Sequence, residues 1–571
     1  MREVKKGIFH VGKRKAGMIL TGILFLFFIL IWKSAGIYFE TNDDKFIAEI
    51  LSGAVTGEPD GHVVYINYLL SYLLSLLYQI WPGVPWYGVF LVLCHFLMYL
   101  ALLQTIYNRS ECFMEQIIMV GLVGCYGLTH IYMLIAIQYT STAALMATMG
   151  YICLLLLRND RRKQVFFFGF ELIAFLLRPQ AMLMVQPIGA MAWMGTCLAE
   201  KTGNIKKKGK RATRILPAIG VILIVGYAGT LAGYYGEEWK EYKEFKNART
   251  SLFDYYGNPD YNEVKVLLDQ YNVTENEYAA FCNQAMIDGD IKIECIKKLA
   301  EFAEERQRRS INARALLEQI AENYSQTDYM GLKQVAGIAW WAALLWTVLL
   351  RRWYLALPLT GMAFGRTVIW GYLLYGGRLP FRVTLPLYSC EIFILVSLLI
   401  LDYTESKKQA GMEKPLGFLF CFVFLIFCIW TGKMQYYGGK EAKLWQSAYM
   451  EGLVEVQEYC NRNLEKRYLL DTMSFYYYTG SAFETRIYKK NNYMYSGGWF
   501  TNTPIRRRYL QEYFSGYEDD FYLIVYDDGS REEYYAVKYF SEKAGVPPTL
   551  VDEITVSHGG VYLVWHFDGQ Q

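Results

Sequence analysis

The sequence predicts a mainly α, polytopic membrane helix bundle with about eleven crossings and one re-entrant or interfacial helix. It also predicts an external helical loop domain and a C-terminal external α/β domain. Three observations lead there. Of the 571 residues, 54% are hydrophobic and only 19% charged, where a soluble globular chain carries roughly a quarter charged residues. The apolar residues gather into runs long enough to span a bilayer, which takes roughly 20 residues. The joints between the runs differ sharply in charge, so they sort onto two sides.

The elements follow in order. Residues 1–235 read as an N-terminal membrane module. Its first helix, Ala16–Trp32, is preceded by Lys5, Lys6, Lys13, Arg14 and Lys15 and lacks a small-residue cleavage site. This is an uncleaved helix with a cytoplasmic N-terminus. Apolar runs follow at 63–81, 86–107, 116–135, 137–157, 164–177, 181–198 and 215–235, then at 334–350, 353–375, 385–401 and 416–431. The joints Arg158–Lys163, Lys201–Arg214, Arg351–Arg352 and Lys407–Lys414 are basic, hence cytoplasmic. If every run crossed, Arg158–Lys163 would fall outside. If 63–81 only dips into the interface, every basic joint falls inside. Residues 34–85 are then one long external loop, and the C-terminus is external.

Residues 236–333 show helical periodicity and form the external helical loop domain. The segment 334–431 supplies the C-terminal membrane helices. The tail 432–571 reads as α/β: FYLIVYDD and GGVYLVWHF are strand-like, while Glu451–Tyr459 and Glu532–Ala544 are helix-like. The placement is an integral protein of the plasma (cytoplasmic) membrane.

Several function classes drop out. A net charge of +3 argues against nucleic acid as a partner. The chain has no phosphate-binding GxxxxGK[ST] or GxGxxG loop, and no GxSxG, HExxH or SxxK motif. The 11 Cys form no CxxC or Cys/His cluster, so no metal site is read. Cys282 and Cys295 pair only if an oxidising compartment reaches them.

The most suggestive cluster lies in the first external loop. Asp43 and Asp44 are adjacent carboxylates beyond the outer end of the first helix. Adjacent acids raise each other's pKa and suit general-base work or cation binding. The ordinary alternative is an Asn42–Asp43 cap for the helix that follows.

A first helix, a long external loop opening on an acidic pair, an amphipathic helix, a Pro/His turn and a surface-dipping helix occur here in that order. The arrangement resembles the GT-C superfamily of polytopic glycosyltransferases over roughly residues 1–430. The resemblance implies a polyprenyl-phosphate-linked sugar donor and a glycan, lipid or protein acceptor. It implies catalysis at the outer membrane face by an inverting displacement, with Asp43 as the base. Asp44 stands where Glu is commoner. No carboxylate occurs in the second external loop, Ile135–Thr142, so a metal bridged between loops is not implied and a divalent cation is not required. Gln138 in that loop is positioned to bind a sugar hydroxyl, or simply caps a helix joint.

A leaving phosphate needs donors, and the planar guanidinium bridges phosphate oxygens well. Arg178, Arg378 and Arg382 sit at outer turns and are assigned to this clamp, against ordinary snorkelling. Arg366 lies inside an apolar run, where an ionisable group is costly unless paired or hydrated. It either pairs with Glu391 or Glu171 or lines a polar cavity. His62 contacts phosphate or acceptor, or caps the next helix. Arg249, Asp254 and neighbouring tyrosines open the helical loop domain, and those tyrosine faces suit sugar rings. No tail residue is assigned a catalytic role. Two other functions fit the same membrane pattern: a transporter or flippase of a lipid-linked glycan, and a non-catalytic assembly or sensor protein.

Overall fold

The computed structural model describes residues 2–569 apart from 111–112, 201–203, 288–289, 311–313, 315–316, 320, 323–328, 376–378, 406–411, 477–478, 485–490 and 515. Among the described residues, nine helices are long and apolar enough to cross a membrane. They are Ala16–Ser34, Trp86–Tyr107, Glu115–Ile135, Tyr139–Leu156, Pro179–Ala199, Ile205–Gly233, Leu332–Leu349, Phe381–Glu405 and Glu413–Asn461. Asp160–Leu177 and Ala356–Tyr375 fall short of that composition. The first opens on Asp-Arg-Arg-Lys and carries Glu171; the second is diluted by Gly361, Gly365 and Arg366. Both still run beside the other helices. Tyr68–Ile80 has 13 residues, about 20 Å of helix, too short for a hydrocarbon core of about 30 Å. This is the segment the charge pattern reads as dipping without crossing.

The helix Tyr139–Leu156 is the axis of the bundle, with all its residues buried. Its two ends define two ends of the bundle. At one end, β1 (Tyr38–Phe39) pairs in parallel with β2 (Ala136–Ile137). At the opposite end, buried Arg109 donates to the Leu156 carbonyl at 2.5 Å and to Thr404 Oγ1 at 3.0 Å. That guanidinium satisfies carbonyls which a helix C-terminus leaves without partners. Arg211 reaches Asp160 at 3.5 Å, and Arg352 reaches Glu413 at 2.9 Å. The described parts of the basic joints therefore gather at this second end.

Close packing rests on glycine at a few sites. A Cβ on Gly365 would collide with the Pro187 carbonyl, so the helices Pro179–Ala199 and Ala356–Tyr375 meet backbone to backbone, as small residues permit between apolar helices. Gly365→Leu is therefore expected to lower the melting temperature of the detergent-solubilised protein sharply. Overpacking a tight contact costs about 1–3 kcal/mol or more. Gly337→Leu, where nothing lies within 4 Å, is expected to leave melting nearly unchanged.

The helix Glu413–Arg462 is 50 residues long, about 75 Å at the usual rise. It leaves the bundle and leads into a five-stranded sheet. The strands are β3 (Tyr468–Leu470), β4 (Tyr493–Tyr495), β5 (Phe521–Tyr526), β6 (Thr549–Thr555) and β7 (Val561–Phe567). Their order is β4-β3-β5-β7-β6. The two strands expected from alternation are β5 and β7, which pair antiparallel at its centre. The segment after the helix Ile205–Gly233 is helical, as expected, through Glu237–Thr250, Tyr261–Gln270, Glu275–Cys282 and Ile293–Ser310. Its Tyr242, Phe245 and Leu299 share one apolar core with Leu523, Phe540 and Trp565 of the tail. The two segments read from sequence as separate domains thus bury their hydrophobic faces against each other. Cys282 and Cys295 are both free thiols.

Candidate active site

The first loop is fixed from two sides. Glu40 N–H donates to the Ile137 carbonyl at 3.1 Å, beside the β1–β2 pair. On the other edge, Phe39 N–H donates to the Gly480 carbonyl at 3.0 Å, and Ala482 N–H to the Ile37 carbonyl at 3.0 Å. The helix Asn42–Ser52 starts there and stops at Gly53, whose φ of 78° suits glycine. Asp43 and Asp44 occupy its first turn, where the helix dipole favours acids.

The two acids have different fates. Asp44 is fully buried. Its Oδ1 accepts from the Tyr87 hydroxyl at 2.7 Å and from Tyr139 N–H at 3.1 Å, and its Oδ2 accepts from Thr41 Oγ1 at 3.0 Å. Burial pushes its carboxyl up to about 8, with the hydrogen bonds opposing and Asp43 adding to the rise. The sequence placed Asp44 with Asp43 in catalysis. The structure instead makes it a strut joining the first loop to two membrane helices. Helical periodicity explains the split, because neighbours on a helix point about 100° apart.

Asp43 is half-buried and faces a cavity of about 1320 Å³. The cavity lies at the β1–β2 end of the bundle. Four basic residues line it: Arg178, Lys246, Arg249 and Arg382. Arg178, at the joint between Asp160–Leu177 and Pro179–Ala199, holds its guanidinium 5.4 Å from the ring centres of both Tyr65 and Tyr139. Arg382 starts the helix Phe381–Glu405 and lies within Coulombic reach of Glu40, Asp43 and Asp44. Lys246 donates to the Val64 carbonyl at 3.3 Å. Burial, then the nearby positive charges of Arg178, Lys243 and Arg249, pushes its ammonium down to about 7. Arg249 donates to Gln284 Oε1 at 2.6 Å. Burial likewise pushes Glu40 up to about 7, offset in part by Arg382. Four carboxylates, Glu40, Asp43, Asp254 and Glu304, line the cavity beside these cations.

The tail completes the wall. Asn42 Nδ2 donates to the Tyr476 carbonyl at 2.9 Å, and Gln446 Nε2 to the Glu40 carbonyl at 3.2 Å. Trp499 packs 4.8 Å from Tyr65 and 5.6 Å from Phe46, centre to centre. Thr472, Tyr495 and Trp499 all line the cavity. The sequence assigns no tail residue a catalytic role, and these three contribute to the wall of the cavity. The tail's contacts to residues 37–46 are long-range, and no local pattern announces them. Arg249 and Asp254, singled out from their tyrosine-rich stretch, line the cavity as well.

Other expected residues lie elsewhere. His62 Nδ1 is 2.6 Å from Asp60 Oδ1 and its Nε2 3.0 Å from the Gly233 carbonyl, with its ring stacked on Trp239. That ties the loop to the helix Ile205–Gly233, outside the cavity lining. Gln138 is the N-cap of Tyr139–Leu156; its amide oxygen accepts from Thr140 and Ser141 N–H at 2.7 and 3.0 Å, which leaves it a capping residue. Arg366 pairs with Glu391 at 2.8 Å inside the bundle, and Trp340 Nε1 donates to the same carboxylate. This is the ion pair offered as the alternative to a cavity role. Arg378 lies outside the described residues.

The contrast between the acids yields a prediction. A free Asp titrates near 3.8 and folded Asp44 near 8. Below the lower value both states hold the proton. Between the two, only the unfolded chain ionises, so the stability that Asp44 contributes falls as pH rises through this window. Asp44→Asn, which imitates the neutral acid, is expected to flatten the dependence of melting temperature on pH between about 4 and 8. Asp44→Ala is expected to lower melting at every pH, because Tyr87 and Tyr139 lose a buried acceptor.

Comparison with protein-family models, with curated proteins and with solved structures finds no match.

Proposed function

We propose that this chain is a membrane glycosyltransferase that moves a sugar from a polyprenyl-phosphate donor to a glycan, lipid or protein acceptor. The observation that carries the reading is one cavity in which Asp43 faces Arg178, Lys246, Arg249 and Arg382 at a single end of an apolar helix bundle. An acid for a hydroxyl proton and cations for a leaving phosphate are what the reaction needs. The GT-C resemblance of the first loop supports the same assignment.

The acceptor oxygen bonds to C1 of the sugar as the bond from C1 to the phosphate oxygen breaks. The acceptor proton passes to the Asp43 carboxylate, and the polyprenyl phosphate leaves with the bonding electrons. Arg178 and Arg382 neutralise its charge as it develops, which is where electrostatic catalysis acts. Trp499 and Tyr65 offer aromatic faces to the sugar. The lipid tail passes between helices, beside Leu183, Met184 and Ile369 of the cavity wall.

Topology is part of the proposal. The helix ends alternate between the two ends of the bundle, which supports eleven passes with Tyr68–Ile80 not crossing. Basic joints at the end remote from the cavity support a cytoplasmic placement of that end. The cavity, the helical segment and the tail then face outward across the plasma membrane. The test is purified full-length protein in lipid nanodiscs with a panel of polyprenyl-phosphate sugars. Release of polyprenyl phosphate coupled to a new glycoside supports the reading. Movement of lipid-linked glycan across vesicles, with no glycosidic bond made, supports a transporter instead.

A further inference from the structure

We infer that the opposite end of the bundle carries a second site, which binds the phosphate of an anionic lipid. It is a cavity of about 320 Å³ whose lining includes Lys163, Phe167, Trp193, Arg211, Arg214 and Ile215. Tyr139 and Leu154 lie at the two ends of one helix and line the large cavity and this one respectively. The linings come nearest on two other helices, at Met184 and Trp193 and at Tyr227 and Ala218, each pair about 13 Å apart along the axis. The second site therefore does not extend the first, and it stands or falls independently of the proposed transfer reaction.

Lys163 is the central observation. It is only 8% exposed, unusual for a lysine. Its ammonium lies 5.7 Å from the Trp193 ring centre, and the Arg211 guanidinium lies 6.0 Å from the same ring. Arg211 already has carboxylate partners, Glu200 at 2.6 Å and Asp160 at 3.5 Å. Asp160 also lines the cavity. Lys163 forms no ion pair among the described residues, and Arg214 is exposed at the rim. The three cations outnumber Asp160 and Glu200, so the cavity favours an anion.

The surroundings identify the anion as a lipid rather than a soluble ion. The walls are apolar, with Phe167, Val165 and Ile215 among them. Val165 of the lining is exposed, as are Phe166 and Leu216, which adjoin lining residues in the chain. A turn at residues 213–214 divides Ile205–Gly233, and the short helix before it, Ile205–Ala212, carries Lys206, Lys207, Lys208, Lys210 and Arg211, with Ile205 83% exposed. A basic helix with an exposed apolar tip is the pattern that lies on an anionic bilayer surface. A free phosphate gains nothing from apolar walls, whereas a phospholipid sets its phosphate on Lys163 and its chains against them.

The test is native mass spectrometry of the full-length protein released from nanodiscs of mixed phosphatidylglycerol and phosphatidylcholine. The expected result is preferential retention of phosphatidylglycerol. Lys163→Gln and Arg214→Gln are each expected to reduce it about fivefold, on the order of one juxtamembrane charge, and Lys163→Arg to preserve it. Arg214 is exposed, so its variant answers the question even if Lys163→Gln does not fold. Equal retention of the two lipids overturns the inference. So does unchanged retention in folded Arg214→Gln, or displacement of the lipid by excess inorganic phosphate.

Discussion

Asp43→Asn is expected to reduce glycosyl transfer by about 10²–10⁴-fold, the usual contribution of a positioned general base. Asn keeps the size of the side chain and its place on the first turn but cannot accept the acceptor's proton. Donor affinity is expected to change little, because the phosphate is held by the cations. Asp43→Glu is expected to recover part of the rate, since it restores a carboxylate with its oxygens displaced by one methylene. The control lies one residue away. Asp44→Asn keeps a neutral group in the pocket formed by Tyr87, Tyr139 and Thr41 and is expected to retain most of the rate. Rates from initial velocities, with melting temperatures alongside, separate these outcomes. Full turnover in folded Asp43→Asn removes Asp43 from the chemistry.

The paired change Arg178→Gln with Arg382→Gln is expected to have the next largest effect. Each charge-assisted hydrogen bond to phosphate is worth about 1.5–3 kcal/mol, so each loss weakens donor handling about tenfold or more. Because the charge on the phosphate grows as it leaves, turnover is expected to fall along with apparent affinity. Arg178→Lys is expected to rescue poorly. A lysine keeps the charge but loses the planar fork, and with it the position between the Tyr65 and Tyr139 rings. Loss of affinity alone, at constant turnover, would assign these arginines to ground-state binding.

What was legible in the sequence depended on how local the cause is. Bilayer length and the charge of the joints are local, and they placed the long apolar helices, a shorter apolar helix, Tyr68–Ile80, within the run 63–81, and the gathering of basic joints at one end. The acidic pair was visible too, and so were Arg178 and Arg382 at helix joints. Which acid faces the cavity was not, because it depends on the rotation of one short helix against Tyr87 and Tyr139. Gln138 and His62 show the converse: polar residues at joints serve as caps and ties, and their type alone does not separate those roles from substrate contact. Arg366 is settled by a partner 25 residues away, Glu391. Lys246 and Trp499 reach the cavity only through folding of the 237–310 and 463–569 segments onto one core and onto the first loop. No periodicity within either segment carries that information.

The central claim is that Asp43 and the cavity cations form one transferase site. It is tested most directly by following polyprenyl phosphate release and glycoside formation in the same nanodisc reaction, for wild type and Asp43→Asn, with the anomeric configuration of the product read by NMR. The account predicts equal release and transfer in wild type, an inverted anomeric centre, and near-complete loss of both in Asp43→Asn with donor still bound. A retained configuration, or undiminished transfer by folded Asp43→Asn, would contradict it.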